Sequence, residues 1–304
     1  LEEILEDAGL GYHKFYYPYP DYKFPTEIFT EESIDNVGKP YVNVYDKRCN
    51  LFKEERVFEA LKKEKIAALF SNSFLIEASM EEPEKAPEIF YVKLSADRKK
   101  EFRIATFLVK EEGVKFAVKK PLTTESKSHL ERMKINASES TMKNAVYLEG
   151  SWEGDCLRYP FLYGRTALEA LQLLLKEKSK GEIIRFIREV FANCLPISQY
   201  ADYSTDAFRE LFGQEKLAVE QKCVKPGNVD LIFDNIFIEK EGYTIIDNEW
   251  VFDLYIPEKF IISRALGDLY YQAKELEDVV TMKEMFEAFD ISEIEAEIFH
   301  KWAI

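Results

Sequence analysis

Two apolar runs dominate the second half of the chain, Val229 to Ile238 and Tyr243 to Trp250, with Gly242 between them. Runs of this length flanking a glycine predict the two strands of a β-hairpin. Polar groups interrupt the runs at particular places. Asp230 and Asn235 stand five positions apart in the first, and Asp247 follows in the second. A hairpin can bring all three to one end. There Asp230 would orient a hydroxyl and accept its proton, while Asn235 and Asp247 offer hard oxygens to magnesium. These are the metal and base groups of a phosphoryl-transfer site. The same text also suits an ordinary buried hairpin with acids at its ends, which any α/β protein can supply.

Composition narrows the partners. The net charge of −15 disfavours nucleic acid and anionic membrane surfaces. A nucleotide is compatible with it, since local Lys and Arg with magnesium neutralise phosphates inside a cleft. With 46% hydrophobic and 14% aromatic residues the chain is globular, and 304 residues hold one large domain or two modest ones. No apolar run is long enough to span a bilayer. Cys49, Cys156, Cys194 and Cys223 are scattered without paired spacing, which predicts reduced thiols in a cytoplasmic protein and no zinc site. Three His leave little material for Ser-His-Asp chemistry. The chain opens on Leu, as a piece of a longer polypeptide would.

Taken in order, Leu1 to Leu10 predicts a short acidic helix and Tyr12 to Tyr19 an aromatic strand. A helix is expected from Glu54 to Lys65 and a strand over Leu69 to Ile76. Met80 to Glu88, rich in Glu and Pro, reads as a linker. Three strands follow, Ile89 to Leu94, Phe102 to Lys110 and Val114 to Lys119, the last two joined at Glu111-Glu112-Gly113. Ala117 and Lys119 share one face of their strand and Lys120 takes the other. Leu122 to Ile135 predicts a helix capped by Thr123 or Thr124, with Glu125 in its first turn. Strands over Ala145 to Glu149 and Cys156 to Tyr163 precede Thr166, which caps the next helix. Longer helices are expected over Gly181 to Cys194 and Phe260 to Leu276.

The spacing Asp230-x-x-x-x-Asn235, followed by Ile246-Asp247-Asn248-Glu249-Trp250, resembles the aminoglycoside-phosphotransferase and choline-kinase branch of the kinase fold. Asn228 stands where that family carries a His that scaffolds the loop. The text of Gly11 to Lys23 and of Phe70 to Ile76 resembles the closing segment of bacterial methyltransferases fused to such kinases, the enzymes that cap O-antigen polysaccharides. No G-x-G-x-x-G occurs in the chain, so no methyl transfer is expected of it.

The resemblance implies an α+β chain: a two-lobed protein-kinase-like fold preceded by a partial, Rossmann-type methyltransferase hairpin. The domains would be a methyltransferase remnant over 1–80, a linker over 81–88, a small lobe over 89–164 and a helical large lobe over 165–304. It implies ATP and magnesium as cofactors. Asp230 and Lys119 would be catalytic, and Asn235 and Asp247 would hold the metal. Ala117 would admit the adenine base, and Lys119, Ser95 and Arg98 would meet the phosphates. Glu131 would pair with Lys119, with Glu125 and Glu139 as other choices. Phe161, Leu162 and Tyr163 would form the hinge against the adenine. The acceptor would be a hydroxyl of a small molecule, sugar or glycan. A catalytically weak pseudokinase, serving as a nucleotide-binding or scaffold module, is the other outcome that Asn228 and the missing glycine-rich loop suggest. A third reading assigns the hairpin to an unrelated α/β enzyme.

Overall fold

The computed structural model describes residues 1–37, 54–82, 86–139, 141–177 and 179–303. Cys49, residues 83–85 of the acidic stretch and the side chain of Glu139 lie outside the described residues. The chain is α+β and divides into two compact units, one of residues 1–130 with 150–161 and one of 131–149 with 162–304.

The first unit is built on one sheet of eight strands. Their spatial order is Leu75–Ser79, Tyr12–Tyr19, Glu27–Phe29, Glu88–Leu94, Ile104–Glu111, Val114–Pro121, Cys156–Pro160 and Ser151–Glu153. Every pairing in it is antiparallel. The acidic stretch read as a linker therefore connects strands of a single sheet: Glu27, Ile28 and Phe29 pair with Lys93, Val92 and Tyr91 across it. The turn at Glu112-Gly113 forms as its residues predict. Both have positive φ, 49° and 85°, the combination that lets a two-residue turn follow the twist of its strands. Phe29, Ile34, Phe90 and Tyr91 form a small core against this sheet.

Two expectations shift here. The strand read over Leu69 to Ile76 is a 3-10 turn at Ala67–Phe70 followed by a strand at Leu75–Ser79. The helix before it, Glu54–Lys63, ends in a left-handed Lys65 at φ 58°, with the Ile66 amide donating to the Leu61 carbonyl. That closure turns the chain and leaves Leu69 81% exposed, so the apolar text is not a buried strand. The helix expected from Leu122 runs from Lys127 to Glu139. Thr123 does exchange capping bonds with Ser126, at 3.2 and 3.3 Å, but it does so one turn ahead of the helix, and Glu125 lies in that turn.

The second unit encloses the larger core. Lys180–Cys194 buries Ile183, Ile187, Val190 and Phe191, a stripe at helical spacing. Glu258–Gln272 buries Phe260, Ile261, Ala265, Leu266 and Leu269 against the same core. Thr166 caps Ala167–Leu174 as foreseen: its hydroxyl accepts the Glu169 amide at 3.2 Å and Glu169 accepts the Thr166 amide at 3.0 Å. A four-stranded sheet lies among these helices in the order Arg165–Thr166, Ile236–Glu239, Gly242–Ile245 and Ala145–Tyr147. Its last pairing is parallel and joins Tyr243 to Ala145.

Gly242 is held by that pairing. Its φ is +117°, and an added Cβ would come within 2.6 Å of the Asn144 carbonyl oxygen. Gly181 lies in a helix with open space around it. Gly242→Ala is expected to lower stability by about 1–3 kcal/mol, whereas Gly181→Ala should raise it by about 0.5–1 kcal/mol. Chemical denaturation of the two variants checks this, and equal midpoints would contradict the placement of Gly242.

Candidate active site

The hairpin expected across Gly242 forms between Ile236–Glu239 and Gly242–Ile245, but the apolar run that begins at Val229 is not one strand. Gly227–Asn228 pairs with Val251–Phe252, and the Val229 amide adds one more bond to the Trp250 carbonyl at 3.1 Å. The ladder then stops. Ile232 donates back to the Asp230 carbonyl at 2.8 Å, and Phe233–Asn235 forms a single 3-10 turn before the strand Ile236–Glu239. Asp230 therefore sits on a tight loop between two strands. Phe233 pins that loop: it is fully buried, with its ring edge-on to Phe191 at 5.4 Å. The hydrophobicity that reads as strand is the anchor of a turn.

Hydrogen bonds bring the three polar residues together. The Asn235 side-chain amide donates to the Asp230 carbonyl at 3.3 Å, which turns its oxygen the other way. The Ile246 amide donates to the Asn235 carbonyl at 3.0 Å, which places Asp247 one residue beyond that joint. Asp247 in turn accepts the Glu249 amide on Oδ1 at 3.2 Å, an Asx turn that sets its carboxylate direction. Asn228, only 2% exposed, joins both loops. Its Oδ1 accepts the Asp230 amide at 2.9 Å, and its Nδ2 points to the Asp247 carbonyl at 3.5 Å. Asn228 is thus the side chain that ties the Asp230 loop to the Asp247 loop.

Electrostatics follow from this gathering. Burial, then the charge of Asp247, push the Asp230 carboxyl up from its ordinary 3.8 to about 6; Asp268 and Glu249 add to the rise, and Arg264 opposes it. An acid of this kind changes protonation close to neutral pH, where a proton acceptor is most useful. Arg264, on Glu258–Gln272, also donates from Nε to the Val229 carbonyl at 2.8 Å. Neither Arg264 nor Asp268 carries any sequence signal, because their helix simply brings them alongside. Cys194 and Cys223 are raised to about 12, chiefly by burial, so neither supplies a thiolate near neutral pH.

The other expected residues fall as follows. Lys119 is on Val114–Pro121, 7% exposed, on one face with the half-buried Ala117, while Lys120 is exposed on the other. Ser95 is buried, its amide closing onto the Ile104 carbonyl at 3.0 Å. Arg98 is half-buried, and its carbonyl accepts Arg103 Nε at 2.7 Å. Phe161 extends the sheet by donating to Lys115 at 3.3 Å; Leu162 is half-buried and Tyr163 exposed. Glu131 is exposed on its helix. Ala117, Lys119, Ser95, Arg98 and Phe161 belong to the first unit, and Glu131, Leu162, Tyr163, Asp230, Asn235 and Asp247 to the second.

Among the described residues no helix is long and apolar enough to cross a membrane, and no three His, Cys, Asp or Glu side chains are grouped to hold a metal. No family model and no curated protein matches the chain. Solved structures similar to it in shape include three phosphotransferases. A macrolide 2'-phosphotransferase apoenzyme from Brachybacterium faecium matches with a TM-score of 0.36 at 9% identity, over 69% of this chain and 81% of that one. An ethanolamine kinase from Plasmodium vivax matches with a TM-score of 0.34 at 11% identity, over 69% of this chain and 70% of that one. A spectinomycin phosphotransferase in complex with ADP and spectinomycin matches with a TM-score of 0.28 at 12% identity, over 70% and 82%. Likeness at this level says nothing of chemistry, which the chain's own residues must supply.

The raised acid has a consequence for stability. The folded chain holds the Asp230 proton more tightly than the unfolded chain, so between about pH 4 and pH 6 the native state binds more protons. Stability from this group falls as pH rises through that window and stays lower above it. Asp230→Asn should therefore be more stable than the natural chain above pH 6, by about 1–3 kcal/mol, with the advantage gone by about pH 4. Urea denaturation across pH 4 to 8 measures it. A difference that does not change with pH would refute the ionisation of Asp230 as its source.

Proposed function

We propose that the chain is an ATP- and magnesium-dependent phosphotransferase acting on a hydroxyl of a small molecule, sugar or glycan. The observation that carries this reading is the joined pair of loops in the second unit. One presents Asp230, a half-buried acid raised to about 6, and the other presents Asp247, with Asn235 between them. Asp230 has the proton affinity to take a proton from an acceptor hydroxyl at neutral pH. Its geometry is fixed before substrate arrives, by Asn228, Phe233 and Arg264.

The donor set fits magnesium. Asp247 and Asn235 offer hard oxygens, and the fields of Asp247, Asp268 and Glu249 converge on Asp230 with Arg264 as the opposing charge. Asp247 and Asn235 are two ligands, so protein groups alone do not complete an octahedral shell. That is the arrangement expected where nucleotide phosphates and water supply the rest. When bound, the metal would neutralise charge on the transferred phosphoryl group. In the first unit, the buried Lys119 beside Ala117 is the proposed contact for phosphate and adenine, with Ser95, Arg98 and Phe161 in related roles; Leu162 and Tyr163 of the second unit are proposed for the adenine. Residues 1–80 supply strands to the same sheet that carries Lys119, so their part in this reading is structural.

A pseudokinase is the second reading, favoured by one observation. Ser95 is buried and its loop is packed by Arg103, so the turn that would cradle phosphates lacks both glycine and an open hydroxyl. The two readings separate in one experiment, steady-state ATP consumption with a panel of hydroxyl acceptors, with nucleotide binding followed by calorimetry. Asp230→Asn should keep nucleotide affinity and lose turnover by about 100-fold or more. Asp247→Asn should weaken magnesium-dependent nucleotide binding itself. Nucleotide binding with no turnover above the Asp230→Asn level would leave the pseudokinase, and no nucleotide binding would remove both.

A further inference from the structure

Asp247 is approached from a direction that the base loop does not explain. The next residue, Asn248, is 3% exposed and donates from Nδ2 to the Met133 carbonyl at 2.7 Å. Asn136, 7% exposed, donates from Nδ2 to the Val251 carbonyl at 2.6 Å. Met133 and Asn136 are three apart on the helix Lys127–Glu139, and so lie on one face of it. Asn248 and Val251 are three apart on the Asp247 loop. The two bonds therefore form a reciprocal pair, one amide reaching in each direction between the same two segments.

We infer that Asn136 and Asn248 are positioning residues that hold Asp247 from the helix. The inference rests on the phosphotransferase reading, in which Asp247 meets the metal. Asn228 restrains the same residue's carbonyl from the opposite loop, so Asp247 is fixed on both sides. The residue type is informative. Each bond is to a backbone carbonyl, so each position needs a donor. A lysine or arginine would donate too, at the cost of a buried charge. An aspartate of the same shape would place an acceptor against an acceptor and add a further acid to a site already crowded with them. An asparagine amide donates without charge and reaches farther than a serine hydroxyl, which is too short to span the same gap.

The test reads magnesium, separately from turnover. Nucleotide binding is measured by calorimetry at a series of magnesium concentrations, and without magnesium, for the natural chain, Asn248→Ala, Asn136→Ser and the double variant. Each single variant should raise the magnesium concentration needed for half-maximal nucleotide binding by about tenfold, the scale for groups that orient a metal ligand. Metal-free nucleotide binding should stay within about twofold. The double variant should add little beyond either single change, since both bonds serve one geometry. A variant that only loses melting temperature, with its magnesium requirement unchanged, would overturn the inference. If Asn248→Ala does not fold, Asn136→Ser carries the same test alone, because it removes the bond farther from Asp247. Failure of the underlying reading looks different: the natural chain itself would then show no magnesium-dependent nucleotide binding.

Discussion

Asn228 accepts the amide of Asp230 and reaches the carbonyl of Asp247, and the arrangement of the candidate site turns on that bridge. Two acids held near each other in a half-buried site repel, and burial makes the repulsion stronger because water no longer screens it. The ladder between Gly227–Asn228 and Val251–Phe252 and the bond from the Val229 amide to the Trp250 carbonyl hold the segments against that repulsion together with the bridge. The bridge works through backbone groups, so it restrains the chain without neutralising either carboxylate. Arg264 helps from outside by holding the Val229 carbonyl and opposing the charge on Asp230. The site thus keeps an uncomfortable charge distribution and relies on neutral hydrogen bonds to keep it in place. A raised acid held beside further acids is the kind of site where perturbed titration and function tend to coincide.

The first unit solves a simpler problem. Eight antiparallel strands share one sheet, and Lys119 is carried on a strand paired on both sides, to Ile104–Glu111 and to Cys156–Pro160. A ladder on each side leaves the strand no freedom to slide, because a one-residue slip would turn Lys119 to the face that Lys120 occupies. Arg158 reinforces the neighbouring strand, lying 3.8 Å above the Phe116 ring and bonding Glu153 at 2.9 Å and Glu111. Pairing on both sides therefore fixes the face of the sheet on which Lys119 lies.

What was legible in the sequence follows the range of the interaction involved. The turn at Glu112-Gly113, the cap at Thr166 and the strand Tyr12–Tyr19 are local, and each appears where its residues predict. The spacing from Asp230 to Asn235 was legible as well, and hydrogen bonds join those residues to each other and to the Asp247 loop. The surrounding strand was not. Val229 to Phe233 is apolar because Phe233 must reach the core beneath a turn, and periodicity alone does not distinguish that from a strand. Leu69 and Phe70 misled in the opposite sense, being apolar and exposed. Asn136, Asn248 and Arg264 left no trace, since their roles lie in contacts with residues far along the chain.

Such distant contacts bear on how the protein is made. Asn136 and Met133 are each 115 residues ahead of their partners in the Asp247 loop, and Ala145 pairs with Tyr243. At ribosomal speeds of about 5–20 residues per second, the helix and the strand after it wait roughly ten seconds for the chain that completes them. During that interval a strand edge, the Asn136 amide and the Met133 carbonyl await the partners that are still to be made. The nascent chain must then either hold this segment loosely folded or shield it. A transcript cut short before residue 248 would release a product with its first sheet formed and its second unit unclosed.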